Sequence, residues 1–260
     1  MLLKDKTAII TGAGRGIGKE TALKFAAQGA DVVLVARSTA DLDMIAEEIA
    51  AQGGKAIVHP TDVTQESEVQ GMVDRTIRDL GKIDILVNNV GSSLGYYVEL
   101  VDLDMAKWDA VHNVTVRSTA MCCKYALKHM IPRRSGNIIN IASRAGRLGQ
   151  ARQSAYCSAK FAVRGLTQVL ADEVGPYNIR VNCVLPGATL TENLKQWFHV
   201  AAKAKGITPE EAMSTYLGQT RLKRIPLPQE TAEVILFMAS DLSSGIHGQG
   251  IDVNAGSFMS

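Results

Sequence analysis

Residues 7–18 read Thr7-Ala-Ile-Ile-Thr-Gly-Ala-Gly-Arg-Gly-Ile-Gly18, and this stretch decides the fold. Its first five residues are mostly apolar and β-branched, which is typical of a short buried strand. Four glycines follow at alternate positions, and a helical pattern runs from Arg15 to Gln28. Glycine permits positive φ and close approach of a phosphate, and a helix N-terminus presents free N–H groups. The stretch therefore predicts a strand, a turn and a helix that bind a diphosphate.

The spacing of the glycines distinguishes between two dinucleotide-binding motifs. The general G-x-G-x-x-G fingerprint is not met, because Ile17 stands three residues after Gly14. Gly12, Gly16 and Gly18 fit Thr-Gly-x-x-x-Gly-x-Gly instead.

Short apolar strands alternate with longer helical patterns along the chain, which is typical of a parallel sheet covered on both faces. The predicted strands are Thr7–Thr11, Asp31–Ala36, Lys55–His59, Ile83–Asn88, Asn137–Ala142, Ile179–Leu185 and Gly250–Val253. The predicted helices are Arg15–Gln28, Asp41–Gln52, Glu66–Leu80, Ala106–Met130, Ala155–Val174 and Glu230–Ser240. The 260 residues, 46% hydrophobic, suffice for one core. We expect a single α/β domain, residues 1–260, with a doubly wound parallel seven-stranded sheet.

Ligands of such sheets bind beyond the carboxyl ends of the strands, and a reactive trio of side chains is predicted there. Ser143 follows a predicted strand, and Tyr156 and Lys160 stand four residues apart on a predicted helix, hence on one face. A free tyrosine loses its proton near pH ~10. A lysine ammonium beside the phenol would lower its pKa, and the Ser143 hydroxyl would hold a substrate oxygen.

Together these motifs resemble the classical short-chain dehydrogenase/reductase family over essentially the whole chain. Thr11–Gly18 is similar to the cofactor turn of the family, and Asn88-Asn-Val-Gly91 to its Asn-Asn-Ala-Gly motif. Pro186-Gly187 matches its Pro-Gly after the sixth strand. The resemblance implies a Rossmann-like fold and an NAD(P)-dependent oxidoreductase that interconverts a secondary alcohol and a carbonyl by hydride transfer. It also implies that Ser143, Tyr156 and Lys160 are catalytic.

The resemblance and the strand ends together predict the cofactor site. By resemblance, Lys160 bonds the nicotinamide ribose, Thr191 the carboxamide and Asp62 the adenine, while Asn89 supports the cofactor. Helix capping is the alternative role for Asp62. The residues predicted to bind the cofactor are Gly12, Gly14, Arg15, Gly16, Ile17, Gly18, Arg37, Ser38, Asp62, Val63, Asn89, Val90, Gly91, Tyr156, Lys160, Pro186, Gly187 and Thr191.

One position departs from the family. Relatives carry an asparagine seven residues after the tryptophan of the central helix, where it helps hold a relay water and the lysine. Counted from Trp108, that position is Thr115. Asn113 lies two residues earlier and would substitute only if the helix carried a local bulge. The relay role is therefore not assigned to either residue, and both are alternatively ordinary helix residues without a catalytic role.

The end of the second strand reads Val35-Ala-Arg-Ser38, without the carboxylate that would bind the adenine ribose and repel a 2′-phosphate. Arg37 and Arg15 would instead clamp a phosphate. We therefore expect NADP(H) to be favoured over NAD(H), the alternative being a solvated Arg37.

The substrate is predicted less directly. Residues 189–227 resemble the lid that sets selectivity in this family. Arg144, Arg147 and Arg152 follow Ser143 without an acidic residue between them, which favours a small anionic hydroxy or oxo compound. Subunit contacts or solvent are the alternative role of these arginines.

Two other functions remain open. One is a 3-oxoacyl carrier-protein reductase, with Lys124, Lys128, Arg133 and Arg134 as a docking patch for an acidic carrier. The other is a catalytically weak, nicotinamide-binding regulatory protein on the same fold.

Composition limits the partners. A net charge of +2 gives no general attraction to nucleic acid or anionic membranes. Charges near the N-terminus and the lack of a run of ~18 apolar residues predict a cytoplasmic protein that does not bind membranes. Four cysteines without a C-x-x-C pair are expected to be free thiols, and five scattered histidines favour no metal site. By resemblance, we expect a homotetramer, then a dimer.

Overall fold

Strand β1 (Thr7–Thr11) is buried along its whole length inside a parallel sheet in the computed structural model, which describes residues 1–259. The other strands are β2 (Asp31–Ala36), β3 (Lys55–Pro60), β4 (Ile85–Asn88), β5 (Gly136–Ile141), β6 (Ile179–Pro186) and β7 (Gly250–Val253). Their order is β3-β2-β1-β4-β5-β6-β7, and each neighbouring pair is parallel. The order reverses between β1 and β4, which is where a doubly wound sheet opens a ligand crevice. The predicted fold class is confirmed.

Helices cover both faces of the sheet. They are α1 (Gly16–Ala27), α2 (Thr39–Ala51), α3 (Glu66–Leu80), α4 (Met105–His112), α5 (Ser118–Arg133), α6 (Ser154–Val174), α7 (Glu192–Lys205), α8 (Pro209–Gln219) and α9 (Pro228–Ala239). On one face, α1, α2 and α9 bury side chains such as Phe25 and Leu236, and on the other, α3, α5 and α6 bury Met72 and Leu170. Each fully buried side chain of this size contributes roughly 1.5–3 kcal/mol. The two apolar layers therefore hold the sheet and its carboxyl-end loops in place.

The seven strands agree with the sequence-based prediction to within two residues at each end, but two helical regions differ. The predicted helix Ala106–Met130 is interrupted, because Asn113–Arg117 forms a π-helical segment between α4 and α5. Helices α7 and α8 occupy much of residues 189–227, for which no helix was predicted. Thr208 and Glu211 form a capping box at the start of α8, a signal that the sequence does carry.

A chain of buried polar side chains fixes β4, β5 and α6 relative to one another. Asn88 Nδ2 donates to Asn140 Oδ1 at 2.9 Å, and Asn140 Nδ2 donates to Thr167 Oγ1 at 2.9 Å. Both asparagines and the threonine are buried, so misalignment of any of these elements would leave a polar group without a partner. The helix that carries Tyr156 and Lys160 is thereby held in register with the strand that precedes Ser143.

Two negative observations apply to residues 1–259. Within them, no helix combines the length and apolarity needed to cross a membrane. In the same part of the chain, histidine, cysteine and acidic side chains form no group of three that could hold a metal ion.

Candidate active site

Ser143, Tyr156 and Lys160 lie together beyond the carboxyl end of β5. Ser143 lies two residues after that strand, and its Oγ accepts a hydrogen bond from the backbone of Ala145 at 3.1 Å. The Ser143 hydroxyl also lies close enough to the phenol of Tyr156, in the first turn of α6, to lower the pKa of that phenol. Two hydroxyls from different elements thus converge on one point, where they can bind a single substrate oxygen.

The ammonium of Lys160 is buried behind the phenol. Its Nζ lies 5.8 Å from the centre of the Tyr156 ring and donates to the carbonyl of Ile141 at 2.8 Å. Only 3% of Lys160 is exposed. Gly91 lies against the ammonium so closely that a Cβ at this position would be 2.6 Å from Nζ.

Burial dominates the protonation of both groups. It raises the pKa of Tyr156 to about 12, and the nearby Ser143 hydroxyl opposes this rise. It lowers the pKa of Lys160 to about 8. The expectation that Lys160 lowers the pKa of the phenol is therefore wrong for this structure. The cation is several ångström from the ring and is bound to a backbone carbonyl, while the phenol is desolvated.

The π-helical segment brings Thr115 next to this group. Thr115 is fully buried, its Oγ1 accepts from the backbone of Ser92 at 3.3 Å, and its methyl lies near Gly91. Asn113, in contrast, accepts from the guanidinium of Arg117 at 3.4 Å on the outside of the helix. Of the two candidates for the relay position, the structure thus places Thr115, not Asn113, beside Lys160.

The glycine turn after β1 is closed by Asn89. Gly12 has a φ of +66°, and a Cβ there would lie 2.8 Å from Asn89 Nδ2. A Cβ on Gly18 would come within 2.1 Å of the Gly12 carbonyl oxygen, so neither position accepts a side chain. Asn89 Nδ2 donates to the carbonyls of Thr11 and Gly12 at 3.1 and 3.2 Å. Asn89 therefore joins β4 to the turn that follows β1.

The residues around the start of α1 fit a nicotinamide dinucleotide. Arg15, at the N-cap, makes no side-chain cap, and no acidic residue lies in the first turn of α1, so its N–H groups and positive dipole end suit a diphosphate. Thr191 lies opposite, with its methyl 3.4 Å from the position of a Cβ on Gly16. Gly187 donates from its backbone N to Val253 at 2.9 Å, which fixes the end of β6. The predicted carboxamide contact and the predicted diphosphate turn thus face the same crevice.

The residues predicted for the adenosine end lie beyond β2 and β3. Arg15 and Arg37 are exposed, and neither guanidinium forms an ion pair or hydrogen bond with the side chains and backbone that the structure describes. Ser38 accepts from the backbone of Asp41 and caps α2. Asp62 accepts from the backbone and hydroxyl of Thr64 at 3.0 and 2.8 Å, so it closes a turn and does not cap α3.

The three arginines after Ser143 do not act alike. Arg147 pairs with Asp252 of β7 at 2.8 Å and donates to the Gly250 carbonyl at 2.8 Å. The prediction that Arg147 binds an anionic substrate is therefore wrong, because its guanidinium is already engaged by a carboxylate distant in sequence. Arg144 is half-buried and Arg152 is exposed, and neither has an acidic partner within residues 1–259.

Sequence reasoning missed two parts of this site. One is the Ile141 carbonyl that holds Lys160, which no sequence pattern indicates because any residue supplies a carbonyl. The other is Asp252, whose carboxylate inside a predicted strand was a readable signal that a buried cation lay nearby.

Comparison with known proteins places the chain in a family. Residues 6–201 match the family model for short chain dehydrogenases. A 3-oxoacyl-[acyl-carrier-protein] reductase of Thermotoga maritima is 36% identical over 259 residues, 98% of this chain and 99% of that protein. The 7alpha-hydroxysteroid dehydrogenase of Escherichia coli is 36% identical over 254 residues, 98% of this chain and 94% of that protein.

Solved structures of dehydrogenases are also similar to this chain over nearly its whole length. A 7 alpha-hydroxysteroid dehydrogenase complexed with NADH and 7-oxo glycochenodeoxycholic acid has a TM-score of 0.89 at 35% identity, covering 98% of this chain and 94% of that one. An NAD⁺-bound xylitol dehydrogenase has a TM-score of 0.92 at 30% identity, covering 97% and 99%. The chain therefore belongs to the short-chain dehydrogenase/reductase family and is an oxidoreductase that interconverts a secondary alcohol and a carbonyl with a nicotinamide cofactor.

Proposed function

We propose that Tyr156 transfers the proton in this reaction, that Ser143 holds the reacting oxygen and that Lys160 supports both. The observation that carries the proposal is that the Ser143 hydroxyl, beyond β5, lies close to the Tyr156 phenol at the start of α6, with the buried Lys160 ammonium 5.8 Å from the centre of the ring. A bound nicotinamide supplies or accepts the hydride. The glycine turn, Asn89 and Thr191 would hold that cofactor.

The raised pKa of Tyr156 indicates that its phenol acts as a proton donor at neutral pH. With a pKa of about 12, the phenol stays protonated at neutral pH and can donate to the oxygen of a carbonyl that is being reduced. Lys160 has a pKa of about 8, so its ammonium is present at neutral pH and would bind the ribose of the nicotinamide.

Replacement of the phenol tests this assignment. Tyr156→Phe removes one oxygen and is expected to lower turnover by about 10²–10⁴-fold, the usual contribution of a positioned acid. The dissociation constant of the cofactor, measured by fluorescence titration, should change less than about threefold. Tyr177→Phe, at an exposed position, is the matched control. Retention of more than a tenth of wild-type turnover by Tyr156→Phe would refute the role.

We further propose that NADP(H) is the preferred cofactor. The support is that Arg37, directly after β2, and Arg15, at the start of α1, are both exposed, with no carboxylate directly at the end of β2. One carboxylate does lie near: Asp41 Oδ2 is 3.7 Å from the position of a Cβ on Gly14. The solved relatives above carry NADH and NAD⁺, so they do not support a preference for NADP(H). The proposal rests on Arg15 and Arg37 of this chain and needs a direct measurement.

The ratio of kcat/KM with NADPH to that with NADH measures the preference. Arg37→Leu should lower this ratio by about 10–100-fold, the value of a lost charge-assisted contact. Asp41→Asn should leave the ratio unchanged or raise it. A wild-type ratio below one would reject the phosphate clamp.

For the substrate, we propose a small anionic hydroxy or oxo compound bound by Arg144 and Arg152. The support is their place just after Ser143 and the lack of acidic partners within residues 1–259. Rates on matched neutral and acidic ketones, such as 2-pentanone and 4-oxopentanoate, test the proposal. The acid should be preferred about tenfold or more, and Arg144→Gln should abolish that preference. Equal rates on both compounds would reject an anionic substrate.

A carrier-protein reductase is the second candidate, because a relative of that activity is 36% identical over nearly the whole chain. The structure weakens the docking patch proposed for it. Lys124 pairs with Glu66 at 2.8 Å, Arg133 pairs with Asp84 at 2.7 Å, and Arg134 donates to the Pro176 carbonyl at 2.6 Å. Only Lys128 lacks an ionic or hydrogen-bond partner within residues 1–259, as it lies over the Tyr125 ring. Turnover of a 3-oxoacyl carrier protein faster than of its free thioester would favour this candidate.

We propose a homotetramer as the assembly. Phe161, Gly165 and Val169 recur every four residues along α6 and are exposed, so they form an apolar stripe on a surface that would suit a second copy. Light scattering measures the mass directly, and Val169→Lys should lower it.

A further inference from the structure

A pair of hydroxyls beyond β4 has no role in the mechanism above. Ser93 Oγ donates to the phenolic oxygen of Tyr97 at 3.0 Å. The same Ser93 Oγ accepts from the backbone of Gly95 at 3.3 Å, and Ser92 Oγ accepts from the backbone of Leu94 at 3.0 Å. The segment is thus folded into a tight turn by its own serines, and the turn fixes the phenol of Tyr97.

The turn is held in an unfavourable backbone conformation. Leu94 has a φ of +53°, and Gly95 follows with a φ of +78°. The left-handed conformation is unfavourable for leucine, and strain of this kind is concentrated at functional sites, where the surrounding structure maintains it. Leu94 is also 42% exposed, so burial of its side chain does not account for the strain.

The turn borders the catalytic group. It begins directly after Gly91, which lies against the Lys160 ammonium, and the Ser92 backbone is bound by Thr115. Tyr96 packs in the same apolar cluster as Tyr156, and Tyr97 lies close enough to raise the pKa of that phenol. Tyr97 is 39% exposed, so its side chain is accessible to a ligand.

We propose that Ser93 and Tyr97 form a subsite for a second oxygen of the substrate, a carbonyl or hydroxyl on the carbon skeleton that carries the reacting C–O group. Tyr97 accepts from Ser93, so its own O–H stays available to donate to an acceptor oxygen. Leu94 and Tyr96 beside it supply apolar area for a carbon ring or chain. The substrate class is therefore a di- or polyoxygenated compound. This inference rests on the proposed function, since it places the reacting oxygen at Ser143 and Tyr156.

Equilibrium binding tests the subsite without relying on turnover. The Tyr156→Phe protein loaded with NADPH, or with NADH if that binds more tightly, is titrated with cyclohexanone and with 2-, 3- and 4-hydroxycyclohexanone, using cofactor fluorescence. At least one hydroxyketone should bind about five- to tenfold more tightly than cyclohexanone, the value of one net hydrogen bond. Adding Tyr97→Phe should remove that difference while leaving cyclohexanone affinity within twofold. Tyr177→Phe, at an exposed position outside the site, is the matched control.

Steady-state rates supply a second readout on the otherwise wild-type protein. Tyr97→Phe should raise KM for the preferred hydroxyketone about five- to tenfold with little change in kcat, and Ser93→Ala should have a smaller effect in the same direction. If no hydroxyketone binds better than cyclohexanone, or if Tyr97→Phe weakens all ketones equally, the subsite is overturned. Undiminished turnover by Tyr156→Phe would overturn the proposed function instead, so the two failures are distinguishable.

Discussion

Lys160 shows how one residue depends on groups that its own sequence motif does not contain. The four-residue spacing from Tyr156 predicts that both side chains share a helix face, and they do. The Ile141 carbonyl and the bare backbone of Gly91 then determine where the ammonium lies. Burial determines its pKa. Spacing thus predicts the pair, whereas the position and charge of each member depend on tertiary contacts.

Gly91→Ala is expected to lower activity without destabilising the protein. The new Cβ would lie 2.6 Å from Lys160 Nζ, so the flexible end of the lysine must move, whereas the backbone need not. We expect kcat to fall about tenfold or more, because the ammonium no longer supports Tyr156. The free energy of unfolding, measured in urea, should change by less than about 1 kcal/mol.

Gly149→Ala is the matched control for this change, because a Cβ at Gly149 meets no atom within 4 Å. It should leave both kcat and stability unaltered. A Gly91→Ala protein with wild-type kcat would show that the position of the ammonium does not matter.

At the scale of elements, the Arg147–Asp252 pair ties the loop that begins at Ser143 to β7. Both side chains are only 18% exposed, and burial raises the pKa of Asp252 while Arg147 opposes that rise. A buried carboxylate deprived of its cation is costly, since desolvation then has no compensation.

Arg147→Met should therefore destabilise the protein by about 2–4 kcal/mol at pH 7, measured by urea unfolding. Adding Asp252→Asn should recover part of the loss, because the unpaired charge disappears. Lys55→Met, which breaks the exposed pair with Asp31, should cost less than about 1 kcal/mol. Equal losses of unfolding free energy in Arg147→Met and Lys55→Met would mean that burial does not strengthen the Arg147–Asp252 pair.

The sequence predicts those elements that leave a clear pattern of residue types in it. The strands are predicted well, because runs such as Val32–Val35 are buried on both faces and must be continuously apolar. The π-helical segment is not predicted, because one extra residue in a turn changes hydrogen bonding and not composition. The start of α8 was missed although Thr208-Pro-Glu-Glu211 carries a capping box and a proline in the first turn.

For the whole molecule, His59 at the end of β3 predicts a loss of stability in mild acid. It is 3% exposed, and its Nε2 has no hydrogen-bond partner within residues 1–259. Burial, with help from Arg75, lowers its pKa from 6.5 to about 4. His59 therefore becomes protonated near pH 6.5 in the unfolded chain but only near pH 4 in the folded chain. Stability should fall by on the order of 2–3 kcal/mol as pH drops through this window.

His59→Leu should flatten the dependence of unfolding free energy on pH between 4 and 6.5, measured by urea titrations at each pH. His199→Leu, at an exposed position on α7, should leave the slope as in the wild type. An unchanged slope in His59→Leu would assign the acid sensitivity to other groups.

The contacts between Asn89 and the turn after β1 have a consequence for folding order. They join two segments nearly eighty residues apart in sequence, across the β1–β4 pairing at which the strand order reverses. Neither half of the sheet alone contains a complete nucleotide crevice. During refolding, regain of cofactor binding should therefore lag behind regain of helical circular dichroism, because the crevice forms only when the two halves have closed upon each other.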